Sequence, residues 1–153
     1  ISVIRQGQTT SAVEKYNARV AEAQAGAVRT SAAFESEILK EQSEVEQAKV
    51  RRAKTQAIGV QRAQYAKAGV RLEEGSPLEV MADTAAQYEL DLAANRYNLA
   101  TGLETIRYGS EVKQAQLGAE AQYRRQLAKA AKTASYLSAG STLLSGGYLA
   151  SRK

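Results

Sequence analysis

The chain contains no cysteine, no histidine and no tryptophan, and only one proline, one phenylalanine and one methionine in 153 residues. Without cysteine there is no disulfide framework, no thiolate nucleophile and no thiolate metal site. Without histidine the commonest general base and the commonest metal ligand are missing together. Large apolar side chains are scarce as well. Hydrophobic residues make up 44% of the chain, but alanine supplies much of that share and the mean hydropathy is −0.41. Alanine buries little area per residue, so a compact single-chain core would be thin. Long helices rich in Ala, Glu, Gln, Lys and Arg suit this composition, because those residues lose little side-chain entropy in a helix. The missing burial then has to come from a partner.

The N-terminal stretch ISVIRQGQTTS has no basic region followed by an apolar run, so nothing there reads as a secretory signal. Because it opens on Ile, we expect the sequence to be a portion of a longer chain. The net charge of +5 is distributed in blocks of alternating sign. Residues 1–46 carry −2, residues 47–72 carry +7 with no acid, residues 73–111 carry −6, and residues 112–153 carry +6.

Between residues 8 and 68 only Gly26 and Gly59 interrupt a run of helix formers. Apolar or small residues recur at Val13, Tyr16, Val20, Ala23, Ala27, Phe34 and Ile38, and again at Val50, Ala53, Ala57 and Val60. Steps of three and four predict a helix with one narrow buried stripe, losing register near Glu37 and Glu41. A second stripe runs through Leu78, Met81, Ala85, Tyr88, Leu92, Asn95, Leu99, Gly102 or Leu103, and Ile106. It predicts a helix packed lengthwise on another. Asn95 reads either as a register-fixing polar residue or as a solvated edge. Past Ile106 the expected stripe continues through Val112, Ala115, Ala119, Tyr123 and Leu127. Gly102, Gly109 and Gly118 suggest a bend there.

The single proline lies in EEGSPLEVMADT, residues 73–84. Gly69 or Gly75 is expected in the left-handed conformation that ends a helix. Ser76 then reads as an N-cap, Pro77 as the first helical residue and Glu79 as the third, which is the capping-box pattern. If the chain folds back at this turn, neighbouring residues have numbers summing to about 148. Lys67 then falls near Asp83, Arg62 near Glu89, and Arg51 or Arg52 opposite residues 91–97. Glu14 and Glu22 fall near Lys132 and Arg124–Arg125. Turn, stripe and charge agree on an all-α fold, a long antiparallel helical hairpin. Its divisions are a first arm over 1–72, a capped turn at 73–77, a second arm over 78–132 and a C-terminal segment over 133–153. Arms of about 60 residues, roughly 90 Å each, do not enclose a core. Lateral assembly into a ring or tube, a homo-oligomer, is therefore expected.

From Thr133 to Ser151 the chain is rich in Gly, Ser and Leu and carries no charge. Ala134, Ser138, Thr142, Gly146 and Ala150 follow a small-xxx-small spacing that lets helices approach closely. Tyr136 and Tyr148 stand near the two ends, with Leu143 and Leu144 between them. Three readings stay open: a membrane-contacting or pore-forming segment, a glycine-rich cap or oligomer contact, and a flexible tail.

No enzyme chemistry is indicated, and no cofactor or metal. Glu73–Glu74, Asp83, Glu89 and Asp91 read more simply as the solvated acidic face of a helix than as a catalytic or metal-binding carboxylate pair. Arg51, Arg52, Arg124, Arg125 and Lys129 are candidates for facing phosphates, which would make DNA a partner without sequence preference. Tyr65 is the only aromatic in the first basic run, so base stacking is not indicated.

The stretch AGVRLEEGSPLEVMADTAAQYELDLAANRYN, followed by an Ala/Gly-rich helix and AGSTLLSGG, resembles the small internal virion proteins of tailed, chiefly short-tailed, bacteriophages. These are the ejection proteins carried inside the capsid. The resemblance rests on G-x5-GSP, ADTA, YELD and RYN and covers most of residues 60–147. It implies a helical virion protein of the capsid interior that leaves with the DNA for the host cell envelope. There it would oligomerise in the outer membrane as a conduit for the genome, with other ejection or portal-associated proteins as partners. The resemblance brings no catalytic residues. The alternative is a structural coiled-coil scaffold or connector of a virion that meets no membrane.

Overall fold

The computed structural model describes residues 2–71 and 75–150, with side chains of the second span described through residue 141. It is all-helical among these residues. α1 spans Ser2–Lys67 and α2 spans Ser76–Ala150, and the two long helices pack against each other. Threonines at exposed helical positions, such as Thr9, Thr55 and Thr101, return their hydroxyls to the carbonyl four residues earlier. In this way they satisfy a side chain that otherwise competes with the helix.

The end of α1 is a Schellman motif. Gly69 has φ of +69°, its N–H donates to the Ala66 carbonyl, and the Val70 N–H donates to the Tyr65 carbonyl. These two bonds satisfy carbonyls that the last turn leaves open, and the left-handed backbone favours glycine. Lys67 stands in that last turn, at the negative end of the helix dipole.

The start of α2 differs from the expected capping box by one residue. Gly75, with φ of +75°, supplies the first acceptor, and its carbonyl takes the N–H of Leu78 at 3.2 Å and of Glu79 at 3.4 Å. Ser76 and Glu79 make no reciprocal side-chain bonds. The Glu79 N–H that the Ser76 hydroxyl would accept from is already committed to Gly75. Pro77 lies within the first turn, where a missing N–H loses nothing.

The chain divides into two units. A terminal unit comprises Ile1–Ser31 and Gly109–Lys153, and a turn unit comprises Ala32–Tyr108. In each, the two helices run antiparallel. In the turn unit Met81 and Leu92 are buried, and Tyr88, Leu99, Leu103 and Ile106 are half-buried, as are Leu39, Val50, Ala53 and Ala57 of α1. Of the expected α2 stripe, positions 81–106 are buried or half-buried, while Leu78 is exposed. The helix continues unbroken through Gly102, Gly109 and Gly118. A Cβ at Gly102 would meet the Leu39 Cδ2 at 2.7 Å, so this glycine makes room for a packed leucine.

The terminal unit is built on a different stripe from the one expected. Its buried residues are Ser11, Ala18 and Ala21 on α1, and Ala121, Ala128 and Ser135 on α2. Gly7 is buried among them: a Cβ there would overlap the Ser135 Cβ and Oγ and come within 2.9 Å of the Ala131 carbonyl oxygen. The seam is made of the smallest side chains, and they allow close backbone approach. The larger residues expected in the core are exposed instead: Val13, Tyr16 and Val20 on α1, and Val112, Tyr123 and Leu127 on α2. Phe34 and Ile38, in the turn unit, are exposed too.

The register also shifts. Facing residues in the terminal unit, such as Gly7 and Ser135, Glu14 and Arg124, Glu22 and Arg125, and Arg29 and Gln114, have numbers summing to 138–147. In the turn unit, Leu39 with Gly102, Lys54 with Glu89, and Gln61 with Thr84 sum to 141–145. The expected sum of 148 centred the fold on Glu74. The observed centre is the midpoint of the link between Lys67 and Ser76, about two residues earlier.

Candidate functional site

The earlier centre reassigns the charge pairs between helices. Glu89 receives Lys54 at 2.7 Å, not Arg62. The Lys54 hydrogen bond and charge hold the Glu89 carboxyl below the usual carboxylate range, with smaller help from Arg96 and Arg51. Among the described residues Arg62, Lys67 and Asp83 make no ion pair. In this register Arg62 and Lys67 fall opposite uncharged residues near Met81 and Ser76. Gln61 instead donates to Thr84 at 2.8 Å.

In the terminal unit the expected proximity of Glu14 and Glu22 to Arg124 and Arg125 resolves into particular pairs. Arg124 bridges Glu14 at 3.2 Å and Glu120 at 2.9 Å, and Arg125 pairs with Glu22. Hydrogen bonds to Glu120 and Glu14 raise the Arg124 guanidinium above its ordinary value. Arg124 is therefore occupied. Lys132, also expected near the glutamates, takes no acid among the described residues.

Beside these pairs lies a basic groove of about 360 Å³ lined by Lys15 and Arg19 from α1 and by Arg125 and Lys129 from α2. Lys15 and Arg19 are four residues apart, as are Arg125 and Lys129, so each helix presents both cations on one face. Among the described residues Glu22 is the one acid paired with any of the four, through Arg125. Lys15, Arg19 and Lys129 have no ion-pair partner among the described residues. Of the expected phosphate-facing residues, the structure brings Arg125 and Lys129 together here. Arg51 and Arg52 lie in the turn unit, on a surface shared with Thr55 and Gln56. Lys15 and Arg19 were not anticipated. Their signal was the i,i+4 spacing on the flank of a seam that could not be located before the small-residue face was known.

The second feature is the outer surface of the terminal unit. Two residues along an α-helix turn the side chain by about 200°. Ser11 is followed by Val13, Ala18 by Val20, Ala121 by Tyr123 and Ser135 by Leu137. Each of these four buried small residues is thus answered by a larger exposed one on the far side of its own helix, whereas Ala21 and Ala128 are followed by Ala23 and Ala130. Tyr16 is 68% exposed, Tyr123 61% and Leu137 69%. Both helices therefore turn a 3-4-spaced apolar stripe outward.

The C-terminal segment is helical through Ala150 and continues α2 without a break. Tyr136 and Ser138 are exposed. The side chains of Thr142, Leu143, Leu144 and Tyr148, and the surroundings of Gly146, lie outside the described residues, as do Glu73 and Glu74. Among the described residues no helix is long and apolar enough to cross a membrane, and no three Asp or Glu gather where they could hold a metal ion. Comparison with protein-family models, curated proteins and solved structures finds no match for the chain.

Proposed function

We propose that the protein is a bacteriophage ejection protein that assembles laterally, copy against copy, into a helical conduit for genome delivery across the host outer membrane. The observation that carries the assembly is the pair of outward apolar stripes on the terminal unit. Stripes of this kind on opposite helices suit a head-to-tail contact, α1 of one copy against α2 of the next, which closes into a ring when the rotation allows. The virion setting, the host envelope and the accompanying ejection or portal-associated proteins come from the resemblance of residues 60–147. A coiled-coil scaffold of the virion without membrane contact is the second reading, favoured by the lack of a membrane-long apolar helix among the described residues.

Flotation of the full chain with vesicles of outer-membrane lipid separates the two. The conduit reading expects the protein in the floating fraction, in assemblies larger than one chain. Assemblies that stay at the bottom of the gradient at every protein-to-lipid ratio favour the scaffold.

A further inference from the structure

We infer that the groove between Lys15, Arg19, Arg125 and Lys129 is a binding site for the phosphodiester backbone of a nucleic acid. The first ground is the departure from the pairing rule seen elsewhere in the molecule. Among the described residues the ion pairs that join the two helices are of opposite sign: Lys54 with Glu89 in the turn unit, and Glu14 with Arg124 and Glu22 with Arg125 in the terminal unit. In the groove, Lys15 stands opposite Lys129 and Arg19 opposite Arg125, each with a residue sum of 144, inside the register of the terminal unit. Facing like charges oppose the pairing of two helices. An anion between them reverses that repulsion.

The second ground is the charge of the unit itself. The terminal unit carries eleven Lys and Arg against four Glu, a net +7, whereas the turn unit carries ten against twelve, a net −2. The chain's basic character is concentrated where the groove lies. Arg124, the neighbour that could dilute this reading, is held by two glutamates and stands apart from it.

The third ground identifies the ligand. Among the described residues only cations line the groove, with no aromatic side chain for base stacking and no Asn or Gln for base edges. Such a lining positions a phosphate backbone and reads no sequence. A membrane surface is the less suitable partner, because interfacial helices combine their cations with a buried apolar face, and among the described residues no apolar side chain lines this groove. The inference deepens the genome-delivery reading and rests on it for the polymer that would be met.

The test is fluorescence anisotropy of a labelled 30-base-pair mixed-sequence DNA duplex, titrated with the full chain at several salt concentrations. Each phosphate contact contributes about −0.9 to the slope of log K against log salt. The double variant Lys15→Gln/Lys129→Gln is expected to reduce the magnitude of that slope by about 1.8, with weaker binding at every salt concentration. Arg51→Gln/Arg52→Gln, which removes the same charge from the turn unit, is expected to leave the slope unchanged. Because the first variant removes facing like charges, its thermal midpoint without DNA is expected to equal or exceed that of the parent, so lost binding is not lost folding. Equal slopes in the parent and the Lys15/Lys129 variant overturn the inference. So does an equal loss from the Arg51/Arg52 variant, or loss of vesicle binding in place of DNA binding when anionic phospholipid vesicles replace the duplex. A chain that assembles and floats with lipid yet shows no groove-dependent DNA binding overturns the groove and leaves the conduit standing.

Discussion

Replacing Gly7 with alanine adds one methyl group at the tightest place in the terminal unit. The new Cβ would overlap the Ser135 Cβ and Oγ and approach the Ala131 carbonyl oxygen to 2.9 Å. The Ser135 Cβ is fixed to the backbone and the carbonyl is backbone, so no side-chain rotation relieves the overlap and the helices must separate. Overpacking of this kind costs about 1–3 kcal/mol, and with two rigid obstacles the upper half of that range applies. Alanine in place of glycine inside a helix returns about 1 kcal/mol. The net expectation is destabilisation by about 1–2 kcal/mol. Gly26→Ala is the control, since nothing lies within 4 Å of its added Cβ and only the propensity gain of about 1 kcal/mol applies. Urea unfolding followed by helical circular dichroism, at one protein concentration for all variants, reads both. The two glycines should move the midpoint in opposite directions, and Ser135→Gly should lessen the penalty in the Gly7→Ala background. If Gly7→Ala stabilises the chain as Gly26→Ala does, the close-packed seam is refuted.

Three further outcomes follow from single side chains. The Ser11 hydroxyl is buried without a hydrogen-bond partner, so Ser11→Ala should stabilise the chain by about 1 kcal/mol in the same urea assay. Leu92→Ala should destabilise it by about 2–5 kcal/mol, because Leu92 is 3% exposed in a packed interface. Lys54→Met should return the Glu89 carboxyl towards the ordinary carboxylate pKa, measured by carbon NMR across a pH titration. With Lys54 present, the stabilisation from Glu89 is complete above its unfolded pKa and fades as pH falls through the lowered folded value. The variant should therefore lose less stability than the parent on acidification.

The helices and their turn were legible because local rules decide them. A long proline-free run of helix formers marks α1, and Gly75 and Pro77 mark the start of α2, while the end of α1 stayed open between Gly69 and Gly75. The stripe from Met81 to Ile106 was legible because there the large apolar residues are the ones that pack. In the terminal unit that assumption fails. The packing face consists of Gly7, Ser11, Ala18, Ala21, Ala121, Ala128 and Ser135, which carry almost no hydrophobic signal, while Val13, Tyr16, Val20 and Tyr123 carry a strong one on the opposite side. The periodicity is sound for both stripes, so period alone does not say which of them faces the partner helix. The register was misplaced because EEGSP reads as the centre of the turn, whereas the Schellman motif at Gly69 ends α1 earlier. That shift explains why Glu89 meets Lys54. It also kept the groove hidden, since Lys15 and Arg19 gain meaning only once their helix face and their partners at 125 and 129 are known.

The central claim is that a small-residue seam holds the terminal unit together and leaves its large apolar residues outward for other copies of the chain. Sedimentation velocity of the full chain, beside the variant Tyr16→Ser/Tyr123→Ser, tests it most directly. The parent is expected to sediment as species heavier than the 16.4 kDa monomer. The variant is expected to be monomer with unchanged helicity, because both tyrosines are exposed within the single chain. A parent that stays monomeric at every concentration, or a variant that unfolds or assembles as the parent does, would contradict it.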